Sequence, residues 1–269
     1  MDGISISDKD VAPLDQITSD LVGLRIALVN VFAVLSSAGW VLVDAGLPLS
    51  ADRIRRWKTV HFGENSRPQS ILLTHGHFDH VGGLKDLAEH WKVPVYAHSL
   101  ELPYVTGRTS YPPPNPAAGG GLMALMSPLY PRGPVDVSSH ATQLPADGSI
   151  PDLPGWRWIH TPGHTDGHVS FFHEENRTLI VGDAFCTTKA ESVLAIATRR
   201  PELHGPPAYY TSDWDKAKSS VETLAELRPT TVAAGHGLPM SGPEVATALQ
   251  KLADNFDAVA RPKHGIHAA

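Results

Sequence analysis

The chain has 269 residues, enough to bury a sizeable core, and length alone allows one or two domains. A net charge of −6 with no basic run argues against nucleic acid as a substrate. The single cysteine, Cys186, excludes an intrachain disulfide, and the lack of a secretory leader or an 18-residue apolar stretch predicts a cytoplasmic protein without a membrane segment.

In chain order, the apolar patterning predicts strands near 24–35 and 39–44, then a helix near 50–60. The run from Ile26 to Ser36 fits a strand although it contains Asn30. Trp40-Val41-Leu42-Val43 ends in Asp44-Ala45-Gly46. Residues 69–74 form a short apolar run bounded by polar residues, which predicts a buried strand. Leu84, Leu87, Ala88 and Trp91 recur at helical spacing and predict one face of a helix over 81–91.

Between that strand and that helix lies Thr74-His75-Gly76-His77-Phe78-Asp79-His80-Val81-Gly82-Gly83. Three imidazoles and one carboxylate within six residues suit a zinc-like ion, which is borderline soft and takes nitrogen and oxygen ligands. On extended backbone, His75 and His77 project to the same side and can grip one ion. Asp79 and His80, at the turn into the helix, can face a neighbouring ion. Gly82 and Gly83 let the backbone pass close by. Strand-to-helix loops form the ligand-binding edge of α/β sheets.

A strand is predicted at 93–97, and then the rhythm breaks over 101–150. This stretch holds Tyr111-Pro112-Pro113-Pro114-Asn115-Pro116 and Gly119-Gly120-Gly121. Leu122, Leu125, Met126 and Leu129 follow at helical spacing, with Met123 and Tyr130 among them. The Pro run stiffens one arm and the Gly run supplies a joint. Two readings stand: a cap whose Met and Leu residues make an adaptable apolar wall over the site, or a surface for packing or dimer contact.

The second half repeats one design, a β-type run ending in a polar residue beside glycine. Trp156 to His160 leads to Thr161-Pro162-Gly163-His164, Thr178 to Val181 leads to Gly182-Asp183, and Thr230 to Ala234 leads to Gly235-His236-Gly237. Strands are predicted near 156–160, 168–173, 177–182 and 230–235, with helices near 213–227 and 243–259. The 33 residues after His236 suffice for one helix and a tail.

With these motifs in this order, the chain from about Leu24 to His236 resembles the metallo-β-lactamase superfamily, in its glyoxalase-II-like and lactonase-like branch. The resemblance implies an α/β fold (α+β), an αββα sandwich, over a single domain. It implies that His75, His77 and His164 bind one metal and that Asp79, His80 and His236 bind a second. Asp183 would bridge the two together with a water or hydroxide. Asp44 would accept hydrogen bonds that hold the His75 loop, and His160 and His168 would support or pack rather than ligate.

Two Zn²⁺ per chain are expected, with iron or manganese as alternatives. The expected chemistry is hydrolysis of an ester, lactone or thioester of a small molecule, with Asp79 orienting the nucleophile and shuttling its proton. An aspartate at position 183 disfavours β-lactamase activity as more than a side activity. Cys186 stands where signal lactonases of this fold carry a tyrosine, and the chain lacks the long C-terminal extension of glyoxalase II. Phe78, Tyr130, Tyr209 and Tyr210 are the aromatic candidates for the pocket, Phe78 the best placed. The rival readings are a mononuclear iron persulfide-dioxygenase type of oxidoreductase and a non-catalytic binding protein. A homodimer is compatible with the sequence.

Overall fold

The structure is a computed structural model that describes residues 13–189 and 202–262. Its first sheet has seven strands in sequential order. They are β1 (Pro13–Gln16), β2 (Leu21–Ile26), β3 (Val29–Ser36), β4 (Gly39–Val43), β5 (Ile71–Leu72), β6 (Val95–Ala97) and β7 (Ala141–Gln143). The first four pair antiparallel, and β4 to β7 pair parallel. The second sheet runs β12-β11-β10-β9-β8. Its strands are β8 (Trp156–His160), β9 (Val169–His173), β10 (Thr178–Gly182), β11 (Thr231–Ala234) and β12 (Met240–Ser241), and only β10 and β11 pair parallel.

Three apolar clusters define four layers. Phe32, Val43, Leu72, Phe171 and Ile180 lie between the sheets. On the outer face of the first sheet, Leu42 and Ile71 pack with Ile54 and Trp57 of α1 (Ala51–Phe62) and Leu84, Leu87 and Trp91 of α3 (Leu84–Trp91). On the outer face of the second, Leu179 and Val232 meet Val221 and Leu224 of α6 (Trp214–Glu226) and Leu249 of α7 (Glu244–Asp254). Helix, sheet, sheet, helix is the expected αββα sandwich. Asp213 caps α6 by accepting a hydrogen bond from the Lys216 amide at 3.0 Å, where an exposed helix start needs an acceptor.

The elements depart from the sequence expectations in four places. The run 24–35 is a hairpin, turning at Ala27, whose φ is +54°. Both strands are buried on both faces, so no alternation marks the turn. The strand expected over 69–74 pairs as strand only at Ile71–Leu72. The helix expected over 81–91 begins only at Leu84, as α3, and a separate turn of helix, α2 (Phe78–Val81), precedes it. Gly82 and Gly83 donate their amides to the Gly46 and Ala45 carbonyls instead of continuing α2. A Cβ on Gly82 would lie 2.0 Å from the Leu47 carbonyl carbon, so no other residue fits this crossing. The last predicted helix breaks at Asn255 into α7 and α8 (Phe256–Val259). The tail expected after it lies outside the described residues from 263 on.

The insertion carries α4 (Leu102–Val105) and α5 (Leu122–Met126) and returns to the sheet at β7. Among the described residues, no helix is long and apolar enough to cross a membrane.

Candidate metal centre

The parallel pairs β4/β5 and β10/β11 each bring two C-terminal strand ends side by side, and polar residues follow all four. Asp44 follows β4, the His75–His80 segment follows β5, Asp183 follows β10 and His236 lies just beyond β11. His164 comes from the connection between β8 and β9. The structure thus brings together every residue singled out in the sequence as a metal ligand.

His75, His77 and His164 converge, with one ligand atom of each within 4.8 Å of the others. His77 Nδ1 is 3.0 Å from both His75 Nε2 and His164 Nε2. The far nitrogens are held by hydroxyls: His75 Nδ1 is 3.1 Å from Thr74 Oγ1, and His164 Nδ1 is 3.2 Å from Thr211 Oγ1. Burial, reinforced by neighbouring imidazoles, pushes His77 and His164 down to about 3 and His75 well below its usual value. These three rings are neutral, the form that binds a metal.

Asp79, His80 and His236 form a second converging group. His236 Nε2 lies 3.4 Å from Asp79 and 3.2 Å from Asp183. Its Nδ1 donates to the Leu28 carbonyl at 2.8 Å, which aims the other nitrogen inward. Burial opposes charge on His236, but Asp183 and Asp79 outweigh it and raise the imidazole to about 10. His80 is likewise raised well above its usual value, burial being outweighed by Asp183, Asp44 and Asp79. Asp183 lies between the groups, 3.5 Å from His80, 3.6 Å from His164 and 3.2 Å from His236.

Two atoms at this junction test whether a cation fits. His80 Nε2 and Asp183 Oδ1 are buried without a hydrogen-bond partner. His80 Nδ1 already donates to Asp44 at 2.7 Å. The two atoms face each other at 3.5 Å as an ion pair outside hydrogen-bond geometry, a separation at which both can ligate one cation, and buried polar atoms normally have a hydrogen bond. A Cβ on Gly235 would lie 2.3 Å from that Asp183 oxygen and 2.7 Å from the His80 ring. The space is kept clear by a glycine, and the donor set fits a divalent pair.

Asp44 accepts from the Thr74 amide at 2.9 Å, from Thr74 Oγ1 at 2.8 Å and from His80. It therefore holds the start of the His75 loop and one ring of the second group. His168 is fully buried, accepts the Asp183 amide at 2.9 Å, and contacts Thr161 Oγ1 through its other nitrogen. His160 sits at the surface, donating to the Asp166 carbonyl. Cys186 is buried.

Two supporting residues escape a reading of the sequence. Glu101 is 1% exposed and binds both ligand loops at once. It accepts from the Gly76 amide at 3.0 Å, Thr165 Oγ1 at 2.7 Å, the Gly167 amide at 3.1 Å and the Tyr111 hydroxyl. Burial raises its pKa and these donors pull it back. Asn30 donates to the Ala234 and Gly237 carbonyls at 2.8 and 2.7 Å, bracketing His236. Neither adjoins a histidine in sequence, so no motif announces it.

Two openings flank the cluster. A small cleft of mixed polar and apolar lining, about 90 Å³, includes His77, His164, Tyr111, Tyr210 and Asp166. A mostly apolar cavity of about 140 Å³ adjoins Asp79 and His236 and includes Phe78, Tyr130 and Tyr209. The Tyr210 ring lies 4.5 Å from the His77 ring, and its hydroxyl is buried without a hydrogen-bond partner.

Comparison with known proteins agrees with this architecture. The sequence pattern of the Metallo-beta-lactamase superfamily matches residues 25–236. The chain is 45% identical over 240 residues to "Probable metallo-hydrolase YflN" of Bacillus subtilis, covering 88% of this chain and 91% of the relative. It is 30% identical over 115 residues to "Hydroxyacylglutathione hydrolase GloC" of Haemophilus influenzae, covering 42% and 48% of the two chains. Among solved structures, TTHA1623 in a di-iron-bound form aligns with a TM-score of 0.54 and 27% identity, covering 80% of this chain and 91% of that one.

Proposed function

The chain belongs to the metallo-β-lactamase superfamily, and on that premise we propose that it is a dinuclear metal-dependent hydrolase that cleaves an ester, lactone or thioester of a small molecule. The observation that carries the reading is the buried approach of His80 Nε2 and Asp183 Oδ1 to 3.5 Å without a hydrogen bond, between two converging groups of ligand side chains. His75, His77 and His164 would hold one cation, Asp79, His80 and His236 the other, and Asp183 would serve both. A divalent pair, when bound, supplies positive charge to a substrate oxygen and lowers the pKa of water from ~15.7 to about 7.

The protein's own side chains do the rest. The Asp79 carboxylate, half-buried at the cavity mouth, takes the proton of the attacking water and returns it to the leaving group. Burial and the nearby Asp79 push the Tyr210 phenol up, so it stays protonated and can donate to the oxygen that gains charge at the scissile carbonyl. Asp44, His168 and the Leu28 carbonyl keep His80, Asp183 and His236 aimed inward. The 101–150 insertion serves as a cap, a reading supported by Met123 and Tyr130, which line a cavity with Asp79 and His236. A cytoplasmic location fits a chain whose one cysteine is buried.

Zinc is the metal we assign. Iron is the second reading, favoured by the di-iron form of a similar solved protein. The test is a panel of lactones, thioesters, aryl esters and phosphodiesters, assayed with protein of measured metal content. Two zincs per chain with acyl hydrolysis are expected. One iron per chain with oxygen uptake would replace the hydrolase reading with an oxidoreductase.

A further inference from the structure

The cavity beside Asp79 and His236 differs from the cleft on the other flank in what it could hold. Its lining is Leu28, Val29, Leu47, Phe78, Met123, Tyr130 and Tyr209, together with Asp79 and His236. Six separate segments supply these groups: the β2–β3 turn, the loop after Asp44, the middle of the ligand motif, the insertion, the segment before α6 and the loop after β11. Its volume is about 140 Å³. A cavity of about 150 Å³ lined by aliphatic and aromatic side chains stays dry and takes benzene. The space beside the candidate metals therefore matches one ring or a short alkyl chain, and it gives an anionic or sugar-like group almost nothing to pair with.

The wall from the insertion is the soft one. Met123 has three rotatable bonds, and its sulfur lies 3.6 Å from the Tyr130 hydroxyl. Tyr130 in turn stands 5.4 Å from the Phe78 ring and 6.2 Å from Tyr209. Met123 rides on α5, a five-residue helix that begins just after Gly119, Gly120 and Gly121, all at positive φ. Leu122, Leu125 and Leu129 are exposed at 56%, 67% and 74%, whereas Met123 lines the cavity.

We propose that this cavity is a specificity subsite for one apolar group of the substrate, a single aromatic ring or an alkyl chain of about six carbons, and that Met123 and Tyr130 are its adjustable wall. The proposal rests on the hydrolase reading above and names the substrate class of that same site. The subsite selects amphiphilic acyl compounds: the apolar group enters beside Asp79, and the scissile carbonyl reaches the cluster. Each methylene moved from water into the cavity should raise kcat/KM about fourfold until the cavity is full.

The experiment uses the full-length, metal-loaded protein with two ester series. One lengthens the acyl chain from acetyl to decanoyl with a fixed aryl leaving group; the other lengthens the alcohol with a fixed acetyl group. In one series kcat/KM should climb on the order of 100-fold by six carbons and then level off. Met123→Trp should flatten the climb, Met123→Ala should move the plateau to longer chains, and Leu125→Trp, on the exposed side of α5, should change neither. Calorimetric binding of hexanoate against acetate gives a readout independent of turnover. If no ester is hydrolysed, the hydrolase reading fails while hexanoate binding still judges the subsite. Flat profiles in both series, or a climb that survives Met123→Trp in a variant with unchanged fold and metal content, would overturn the proposal.

Discussion

Asp183 is the side chain on which both groups of histidines converge, with carboxylate oxygens between 3.2 and 3.6 Å from His236, His80 and His164. His168 fixes its backbone and Gly235 leaves its oxygen unobstructed. Asp183→Asn keeps the shape but replaces one anionic oxygen with an NH₂ that cannot ligate. Residues that merely orient ligands are worth 10–100-fold, so a residue serving two cations should be worth ~100-fold or more in turnover. Metal analysis should find the Asp79–His80–His236 position depleted first. Full occupancy with wild-type turnover would remove the shared-ligand role. The cluster from His75 to His80 is legible in sequence because its members are local and chemically of one kind. Asp44, Asp183 and His236 are legible only through the repeated strand-end design, since each is a single polar residue within two positions of a glycine. Glu101 and Asn30 are not legible at all, because their partners lie 10 to 66 and 204 to 207 positions away and share no motif with them.

Among the elements, long amphipathic helices such as α6 and buried strands such as β10 follow from apolar periodicity. The failures have different causes: full burial hides the turn at Ala27, and distant carbonyls capture the amides at Gly82 and Gly83. Gly82 and Gly83 give their amides to the loop after β4, which ends α2 and separates it from α3. Glu101 acts at this scale as well, tying the loop after β5, the loop after β8 and the start of the insertion into one unit. Glu101→Gln sets an NH₂ group against donors and leaves at least one of them unsatisfied, a cost of about 1–3 kcal/mol. The expected result is a lower melting temperature together with weaker metal affinity at His75, His77 and His164. A drop in stability with unaltered metal affinity would reduce Glu101 to a packing residue.

At the scale of the whole molecule, each candidate cation is shared between the two sheets and should fasten them together. A ligand that binds only the folded state at a thousand times its Kd adds about 4 kcal/mol. For a domain approaching this size, removal by a chelator should lower Tm by roughly 10 °C; an unchanged Tm in protein shown to have lost metal would contradict the fastening role. Acid should act unequally. His77 and His164, down at about 3, need lose no proton to bind, whereas His236, up at about 10, must give one up. Falling pH adds protons to that competition, so the Asp79–His80–His236 position should empty first as pH drops from 8 to 6, read by metal titration at each pH; parallel loss of both would argue against it. The spread of the cluster from position 44 to position 236 also orders events during biosynthesis. A ribosome must add more than 150 residues after His80 before His236 emerges, and until then no nascent intermediate owns the full set of ligands. Capture of the full complement of cations therefore follows synthesis of the segment that carries His236, and cells short of metal should accumulate apoprotein.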